Sequence, residues 1–317
     1  MQVTVAKTAG FCFGVRRALE LTQKSAALSP TCTLGELIHN RQVVEELAGQ
    51  GVAVIERPED APAGAAVVIR SHGVGPQVYD TLRAQGSPVI DATCPFVKRI
   101  HQIAAEVPEN GLLLLAGRRE HPEVQGILGY CRGPALVFSS AEEMQELLAF
   151  LPSDGNIPVI LAAQTTFSLR EWEKILFFAK KVCTNLKVFD TICRATIERQ
   201  SEAKQLAQSA DAMVVVGGLH SANTTALAAL CGSYCPTVQV ETADQLERHR
   251  EALRGARFIG ITAGASTPAC IIKEVQNSMS VLENNTEEMN FGELLDQYSK
   301  SIHNGEKVTA VVTGIKP

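Results

Sequence analysis

Residues 211–232, DAMVVVGGLHSANTTALAALCG, show the pattern that decides the fold. A short apolar run leads into a loop with glycines and a histidine, and a segment with helical periodicity follows. The same order recurs in residues 65–86, AAVVIRSHGVGPQVYDTLRAQG, and in residues 111–130, GLLLLAGRREHPEVQGILGY. Short continuous apolar strands that alternate with helices are typical of parallel sheets covered on both faces. The sequence therefore predicts an α/β protein built from parallel sheets, with a weak internal repeat.

The composition is that of a globular protein with more than one domain. The chain has 317 residues, 45% of them hydrophobic, and a formal net charge of −5, so we expect two or three domains with sizeable cores. The acidic balance argues against a strongly basic nucleic-acid binder. The longest apolar run, residues 112–116, is far shorter than the roughly 20 residues of a membrane helix, and the N-terminus lacks a signal-peptide pattern. We therefore expect a cytoplasmic protein.

Nine cysteines are the unusual feature of the composition. They are Cys12, Cys32, Cys94, Cys131, Cys183, Cys193, Cys231, Cys235 and Cys270. Because they are odd in number, spread over a long chain and expected in a reducing compartment, a disulfide framework is not predicted. The absence of a CxxC pair argues against a zinc ribbon or a thioredoxin-like site. Two interpretations stay open, namely small buried hydrophobic residues or metal-binding and catalytic thiolates.

Three of the cysteines share one local setting, after a strand and at the start of a helix. They are Cys12 in VTVAKTAGFCFGVRRALEL, Cys94 in VIDATCPFVKRI and Cys193 in VFDTICRATIERQ. Helix N-terminal amides and the helix dipole favour a thiolate at such a position. The recurrence suggests three lobes that each present one thiol to a shared centre, and the alternative is three unrelated buried cysteines. Three converging thiolates could bind zinc or an iron–sulfur cluster with one open iron.

Histidines, hydroxyls and amides gather at similar strand-to-helix junctions. The histidines are His39, His72, His121 and His220, and the polar neighbours are Ser71, Thr165, Thr166, Ser221, Asn223 and Ser266. Open α/β sheets bind ligands at the carboxyl ends of their parallel strands. Together with glycines and helix N-terminal amides, this set suits a phosphate or diphosphate. Taken singly, each residue is more simply explained as a helix cap.

Glu123 is the candidate acid. In HPEVQG, Pro122 stands at an expected first helical position, which puts the Glu123 carboxylate in the first turn. The alternative role is a glutamate that only complements the helix dipole. His121 beside it and Thr165 from another loop could supply a proton relay if the fold brings them together.

Nine ordered motifs carry a resemblance to a known family. They are GFCFGVRRA, LIHNRQVV, RSHGVG, DATCP, HPEVQG, AQTT, Asp-x-x-Cys at 190–193, HSAN and TAGAST. Over residues 1–282 the chain resembles the 4-hydroxy-3-methylbut-2-enyl diphosphate reductases, the LytB/IspH family. That resemblance implies the last enzyme of the non-mevalonate isoprenoid pathway. It also implies three α/β lobes in a pseudo-threefold arrangement around a 4Fe-4S cluster.

The resemblance assigns roles to residues of this chain. Cys12, Cys94 and Cys193 match the cluster ligands, and Glu123 matches the proton donor. The positions that match the substrate pocket are His39, His72, His121, Thr165, Ser221, Asn223 and Ser266. The implied reaction is reductive dehydroxylation of the allylic diphosphate to isopentenyl or dimethylallyl diphosphate, with electrons from ferredoxin or flavodoxin. A Lewis-acidic iron and a nearby carboxylic acid are the groups that release a hydroxyl as water.

The predicted domains follow the three cysteines. We expect lobes at residues 13–95, at residues 96–192 and at residues 1–12 with 193–282. The remainder, residues 283–317, is expected to be a linker and the start of an OB-fold repeat, which would make the chain a truncated fusion with possible RNA or ribosome contact. Ala222 removes a hydroxyl that many relatives have, and Arg118 and Arg119 add charge near the pocket or on the surface. The six other cysteines match no ligand position and are expected to be structural core residues.

Two further functions stay open at this point. A metal-bearing nucleic-acid-binding module is suggested by the C-terminal segment alone. A Cys/His hydrolase that uses Cys12 or Cys94 is disfavoured, because it leaves three similar cysteine settings without an explanation.

Overall fold

The computed structural model describes residues 1–38, 40–149, 157–183 and 185–284, with the backbone only for residues 280–284. The strands are β1 Gln2–Val5, β2 Thr31–Leu34, β3 Ala53–Ile55, β4 Ala66–Ile69, β5 Val89–Asp91, β6 Leu112–Ala116, β7 Ala135–Phe138, β8 Val159–Ala163, β9 Leu186–Val188, β10 Ala212–Val216, β11 Thr237–Val240 and β12 Phe258–Ala263. The helices are α1 Phe13–Ala26, α2 Arg41–Gly49, α3 Pro76–Ala84, α4 Pro95–Ala105, α5 Pro122–Leu128, α6 Ala141–Ala149, α7 Leu169–Val182, α8 Arg194–Ser209, α9 Ala222–Gly232, α10 Arg250–Leu253 and α11 Ala269–Asn284. Short 3-10 helices lie at Pro58–Asp60 and Ala243–His249.

The strands form three sheets of four strands each. The strand orders are β3-β2-β4-β5, β7-β6-β8-β9 and β1-β12-β10-β11. All the strand pairs in these sheets are parallel. The prediction of an α/β fold with three lobes of parallel sheet is thus confirmed.

The strand β1 is the exception to local connectivity, because it lies far along the chain from the sheet that it completes. Its Val3 aligns with Ile259 of β12, in parallel register. The first residues of the chain therefore belong to the same sheet as residues 212–263. The sheet memberships do not fix where one lobe ends and the next begins, and the domain boundaries given above stay predictions.

Each lobe is covered on both faces of its sheet, as the continuous apolar runs indicate. In β6, Leu112, Leu114 and Ala116 belong to one core cluster, whereas Leu113 and Leu115 face another. The strand β10 divides in the same way, with alternate residues in two separate clusters. Since successive strand residues point to opposite faces, a run such as LLLLA is stable only where helices cover both sides. None of the helices in the described residues has the length and hydropathy to cross a membrane.

The cysteines outside the three shared settings are not uniformly core residues. Cys32 and Cys231 are buried, as predicted, and Cys131, Cys183 and Cys235 are half-buried. Cys270 is exposed on α11, so its assignment to the core was wrong. Its position, the second residue of a helix that packs only one face on the sheet, explains the difference. The predicted linker and OB-fold segment, residues 283–317, lies outside the described residues, apart from residues 283–284 at the end of α11.

Candidate active site

The chain crosses from one sheet to the next at each of the three cysteines. Cys12 lies between β1 and β2, Cys94 between β5 and β6, and Cys193 between β9 and β10, and these strand pairs belong to different sheets. Each cysteine is the N-cap residue of the helix that follows it, α1, α4 or α8. The sequence prediction of three thiols at helix starts is therefore correct in its local geometry.

Three equivalent backbone hydrogen bonds fasten these cysteines to the loops at the sheet edges. The Cys12 amide donates to the Ala265 carbonyl over 3.2 Å, and the Cys94 amide donates to the Ser71 carbonyl over 3.0 Å. The Cys193 amide donates to the Thr165 carbonyl over 3.0 Å. Each acceptor is the second residue after a central strand of a sheet, β12, β4 or β8. The same loops carry polar residues that the sequence singled out, so cysteines and polar groups come to one centre.

One cavity collects the three thiols and most of the predicted site residues. Its lining includes Cys12, Cys94, Cys193, Ser71, His72, His121, Glu123, Thr165, Thr166, Ser221, Asn223 and Ser266. His39 lies outside the described residues, although its neighbour Ile38 lines the cavity. His220, by contrast, is exposed on the protein surface and is not among the cavity residues. Arg118 and Arg119 are also exposed, which favours the surface alternative for their charge.

Glu123 is a buried acid in this cavity, with only 2% of its surface exposed. The Thr165 amide donates to Glu123 Oε1 over 2.7 Å, and the Thr165 hydroxyl donates to Oε2 over 2.8 Å. Burial raises the pKa of Glu123 to about 7, although the Thr165 bonds act to lower it. The residue is therefore far more than a surface glutamate that complements a helix dipole.

His121 caps the N-terminus of α5, the helix that carries Glu123. It is the N-cap of α5, and its Nδ1 accepts a hydrogen bond of 3.1 Å from the Glu123 amide. Because Nδ1 is the acceptor, the neutral ring carries its proton on Nε2. The His72 ring meets the His121 ring edge to face, with 5.4 Å between centroids. The fold thus brings two histidines, an acid and a threonine to one side of the cavity.

The third sheet also contributes polar residues to the cavity, at the start of α9. Ser221 is the N-cap of α9, and its hydroxyl accepts from the Thr224 amide over 3.4 Å. The Asn223 side-chain nitrogen is buried and has no hydrogen-bond partner among the described residues. A buried donor without a partner is costly. Asn223 therefore suits an anionic ligand that would accept its hydrogen bond.

The helix starts favour thiolates, but burial has the opposite effect on the thiols of Cys94 and Cys193. Burial raises the pKa of Cys94 to about 11 and also raises the pKa of Cys193. The backbone amides of Phe96 and Val97 act to lower the Cys94 pKa, as expected at a helix start. Desolvation outweighs them, so these thiols are protonated at neutral pH without a bound cation. A metal centre would reverse this balance, because a coordinating thiol is deprotonated by the ion.

The space around the thiols is narrow and depends on Gly14. A side-chain Cβ at Gly14 would lie 2.8 Å from the Cys94 sulfur and 3.9 Å from the Cys12 sulfur. In the described part of the chain, no group of three His, Cys, Asp or Glu side chains is close enough to hold a single metal ion. The three thiols instead lie around a common cavity.

Sequence reasoning missed one charged residue of the site, Arg199 on α8. It lines the cavity with the thiols and is only 3% exposed. The sequence offered no signal for it, since Arg194 on the same helix carries the same charge and is exposed. The two arginines differ in burial, and their burial depends on the direction in which α8 runs from Cys193.

Comparison with known proteins gives consistent relatives over most of the chain. The family model described as LytB protein matches residues 3–280. The 4-hydroxy-3-methylbut-2-enyl diphosphate reductase of Caldanaerobacter subterraneus subsp. tengcongensis is 40% identical over 297 residues, which cover 90% of this chain and 99% of that protein. The reductase of the same name from Citrifermentans bemidjiense is 41% identical, over 89% of this chain and 98% of the relative.

Two solved structures share the fold. One is a structure of (E)-4-hydroxy-3-methyl-but-2-enyl diphosphate reductase, described as the terminal enzyme of the non-mevalonate pathway. It matches with a TM-score of 0.62 and 38% identity, over 88% of this chain and 99% of that one. The other is the E-1-hydroxy-2-methyl-but-2-enyl-4-diphosphate reductase from Plasmodium falciparum, with a TM-score of 0.81 and 26% identity over 87% of both chains.

Proposed function

The chain belongs to the LytB protein family, and we propose that it reduces 4-hydroxy-3-methylbut-2-enyl diphosphate to isopentenyl and dimethylallyl diphosphates. This reaction is the last step of the non-mevalonate isoprenoid pathway. It takes up two electrons and two protons, breaks the allylic carbon–oxygen bond and releases one water. The observation that carries the proposal is the buried, protonatable Glu123 in a cavity that three thiols also line.

Cys12, Cys94 and Cys193 are the proposed ligands of a 4Fe-4S cluster. The residues fit such a group, because the thiols line one cavity and Gly14 leaves open a space that a Cβ would fill. Each thiolate would bind a different iron of the cluster, which calls for thiols around a space rather than at one point. When bound, the cluster supplies electrons to the substrate and a Lewis-acidic iron that has no cysteine ligand.

Glu123 is the proposed source of the proton that leaves in water. A hydroxyl is a poor leaving group until it is protonated, and an acid with a pKa near the working pH serves this role best. Burial places the Glu123 pKa at about 7, so much of the carboxyl is protonated at neutral pH. The Thr165 hydroxyl, 2.8 Å from Oε2, holds the carboxyl and offers a route for its proton into the cavity.

The remaining polar residues are proposed to bind the diphosphate. His72, His121, Ser221, Asn223 and Ser266 line the cavity and come from loops of all three sheets. The buried Asn223 nitrogen has a hydrogen bond to donate, and the starts of α5 and α9 favour negative charge. We also propose His39 as a member of this set, because the family resemblance implies it. These interactions are stronger in a closed cavity than in water, because the local dielectric is lower.

The setting of the reaction is also part of the proposal. Reduced thiols and a low-potential electron source are available in the cytoplasm, where we place the enzyme, and ferredoxin or flavodoxin is the proposed electron donor. RNA or ribosome contact through the C-terminal segment stays a prediction about residues outside the description.

Iron analysis and one activity assay test the proposal. Protein purified without oxygen should contain about four irons with matching sulfide per chain. It should also consume the allylic diphosphate when a strong one-electron donor such as reduced methyl viologen is present. Cys94→Ser should lose the iron, whereas the matched control Cys270→Ser, at an exposed thiol, should retain it. Protein with stoichiometric zinc and no iron, or with iron but without turnover, would refute the proposal.

A further inference from the structure

Arg199 is a cation in an unusual place. Only 3% of its surface is exposed, and it lines the cavity beside Cys12 and Cys193. Its Nη1 donates to the Ala263 carbonyl over 3.0 Å, and its Nη2 donates to the Gly10 carbonyl over 2.9 Å. Arginine stays protonated in proteins, so a full positive charge is held in the interior with its hydrogen bonds directed to neutral carbonyls.

The carboxylate near Arg199 is engaged elsewhere. Glu202, one turn along α8, acts on Arg199 through its charge. Its Oε1 accepts from the Lys7 amide over 2.8 Å, and its Oε2 accepts from the Thr8 amide and hydroxyl over 2.8 and 2.6 Å. Glu202 is therefore committed to the loop before α1. The other acidic groups whose charge acts on Arg199 are the thiols of Cys12 and Cys193.

A buried charge is costly unless an opposite charge compensates it. The two hydrogen bonds of the Arg199 guanidinium go to neutral carbonyls, at the carboxyl end of β12 and in the loop before Cys12. A cluster held by three thiolates would carry a net negative charge, and every added electron would make that charge more negative. The buried Arg199 guanidinium would compensate this charge from the wall of the same cavity.

We infer that Arg199 acts on the proposed cluster through its charge. This fixed, buried positive charge raises the reduction potential of the cluster, so that a biological carrier can reduce it. The inference rests on the proposed function, since it concerns the same thiols. A positive charge in a low-dielectric site stabilises the more negative, reduced state relative to the oxidised one. Net charge near the sulfurs is one of the variables through which proteins set cluster potentials. The two carbonyl bonds exploit the planar guanidinium, whereas the electrostatic effect needs only its charge.

Redox titration of the loaded enzyme and of three variants tests this inference. Arg199→Gln removes the charge and keeps a hydrogen-bond donor. Arg199→Lys keeps the charge and loses the planar guanidinium that donates to two carbonyls at once. Lys204→Gln is the matched control, because it removes a cation from an exposed position on the same helix. The one-electron potential is followed by visible and electron paramagnetic resonance spectra. We expect Arg199→Gln to lower the ratio of reduced to oxidised cluster at least tenfold at a given potential, a shift of about 59 mV. Arg199→Lys and Lys204→Gln should stay near the parent.

Several outcomes separate this inference from its alternatives. An unchanged potential in loaded Arg199→Gln would overturn it, and so would equal shifts in Gln and Lys, because shape rather than charge would then matter. A raised KM for the diphosphate with an unchanged potential would assign Arg199 to substrate binding and also overturn it. If Arg199→Gln cannot retain iron, retention in Arg199→Lys supports the role of charge, and loss in both refutes it. A parent enzyme without a four-iron cluster would refute the proposed function itself.

Discussion

Glu123 shows how the surroundings of a residue change what its side chain can do. In the sequence it is a glutamate in the first turn of a helix, where a carboxylate normally complements the dipole. In the folded chain its carboxyl is buried and its two oxygens are held by Thr165. Desolvation raises the pKa of Glu123 more than the two hydrogen bonds from Thr165 lower it. The outcome is an acid that exchanges its proton near neutral pH.

Replacement of Glu123 tests this acid directly. Glu123→Gln should lower turnover by about a hundred- to ten-thousand-fold, because general acid catalysis contributes that much. The iron content should not change. In the parent, turnover should fall as pH rises through about 7, since the carboxyl loses its proton there. This alkaline limb of the pH profile should be absent from the variant. The control is Glu120→Gln, at an exposed glutamate in the loop just before α5, which should behave as the parent. A variant that retains full turnover would show that the proton has another source.

Thr165 gives a second test, in which the direction of a pH shift is informative. The Thr165 hydroxyl bond lowers the Glu123 pKa, so its removal should raise that pKa further. We expect Thr165→Val to turn over more slowly and its alkaline limb to move to higher pH. Thr165→Ser keeps the hydroxyl and should restore the parent profile. A limb that stays in place in Thr165→Val would mean that Glu123 does not control it.

At the scale of elements, the start of each helix after a cysteine combines two opposing effects. The N-cap position supplies amides that favour a thiolate, as the sequence indicates for Cys94 and Cys193. The same position is only partly exposed to solvent, and desolvation raises both pKa values. The helix start alone therefore does not produce a thiolate; it orients a thiol that a bound metal centre would deprotonate.

Gly14 in α1 is the position where such an element meets its neighbour most closely. An alanine in a helix is usually about 0.5–1 kcal/mol more stable than a glycine. At Gly14, however, a Cβ would lie 2.8 Å from the Cys94 sulfur, so the thiol must move. We expect Gly14→Ala to reduce iron retention strongly, while the metal-free chain keeps its fold by circular dichroism.

The matched control for this prediction is a helical glycine with open space. At Gly232, the last residue of α9, the nearest atom to an added Cβ is 4.0 Å away. Gly232→Ala should load iron like the parent. If Gly14→Ala also retains the full iron content, the proposed position of the cluster between Cys94 and α1 is wrong.

The elements differ in how far the sequence predicts them. Runs such as β6 and β10 are predictable, because a strand covered on both faces leaves a continuous apolar pattern. The pairing of β1 with β12 is not, since register between distant segments leaves no local mark. Glu123 and Thr165 were both candidates, but 42 positions separate them and only the fold shows their contact. Arg199 was missed for the same reason, because burial depends on the packing of α8 rather than on its composition.

At the scale of the whole molecule, the three thiols occupy the points where the chain changes sheets. The helices α1, α4 and α8 follow these points, and polar side chains already connect across them. Arg17 on α1 donates to the Thr93 carbonyl over 3.2 Å. Gln200 on α8 donates to the Phe167 carbonyl over 3.0 Å and accepts from the Leu169 amide. A cluster bonded to Cys12, Cys94 and Cys193 would add a covalent connection at the centre of the same three crossovers.

Such a connection should stabilise all three lobes together, because a group bound only by the folded chain raises the free energy of unfolding. We expect the loaded protein to have a higher Tm than the metal-free protein and to unfold in one transition. Hydrogen exchange should slow at the starts of α1, α4 and α8 alike when the cluster is present. Cys94→Ser should have the Tm of the metal-free protein whether or not iron and sulfide are supplied. Cys270→Ser should show the same increase in Tm on loading as the parent. Protection at only one of the three helix starts would contradict a centre shared by the lobes, since each helix start contributes one of the three thiols to it.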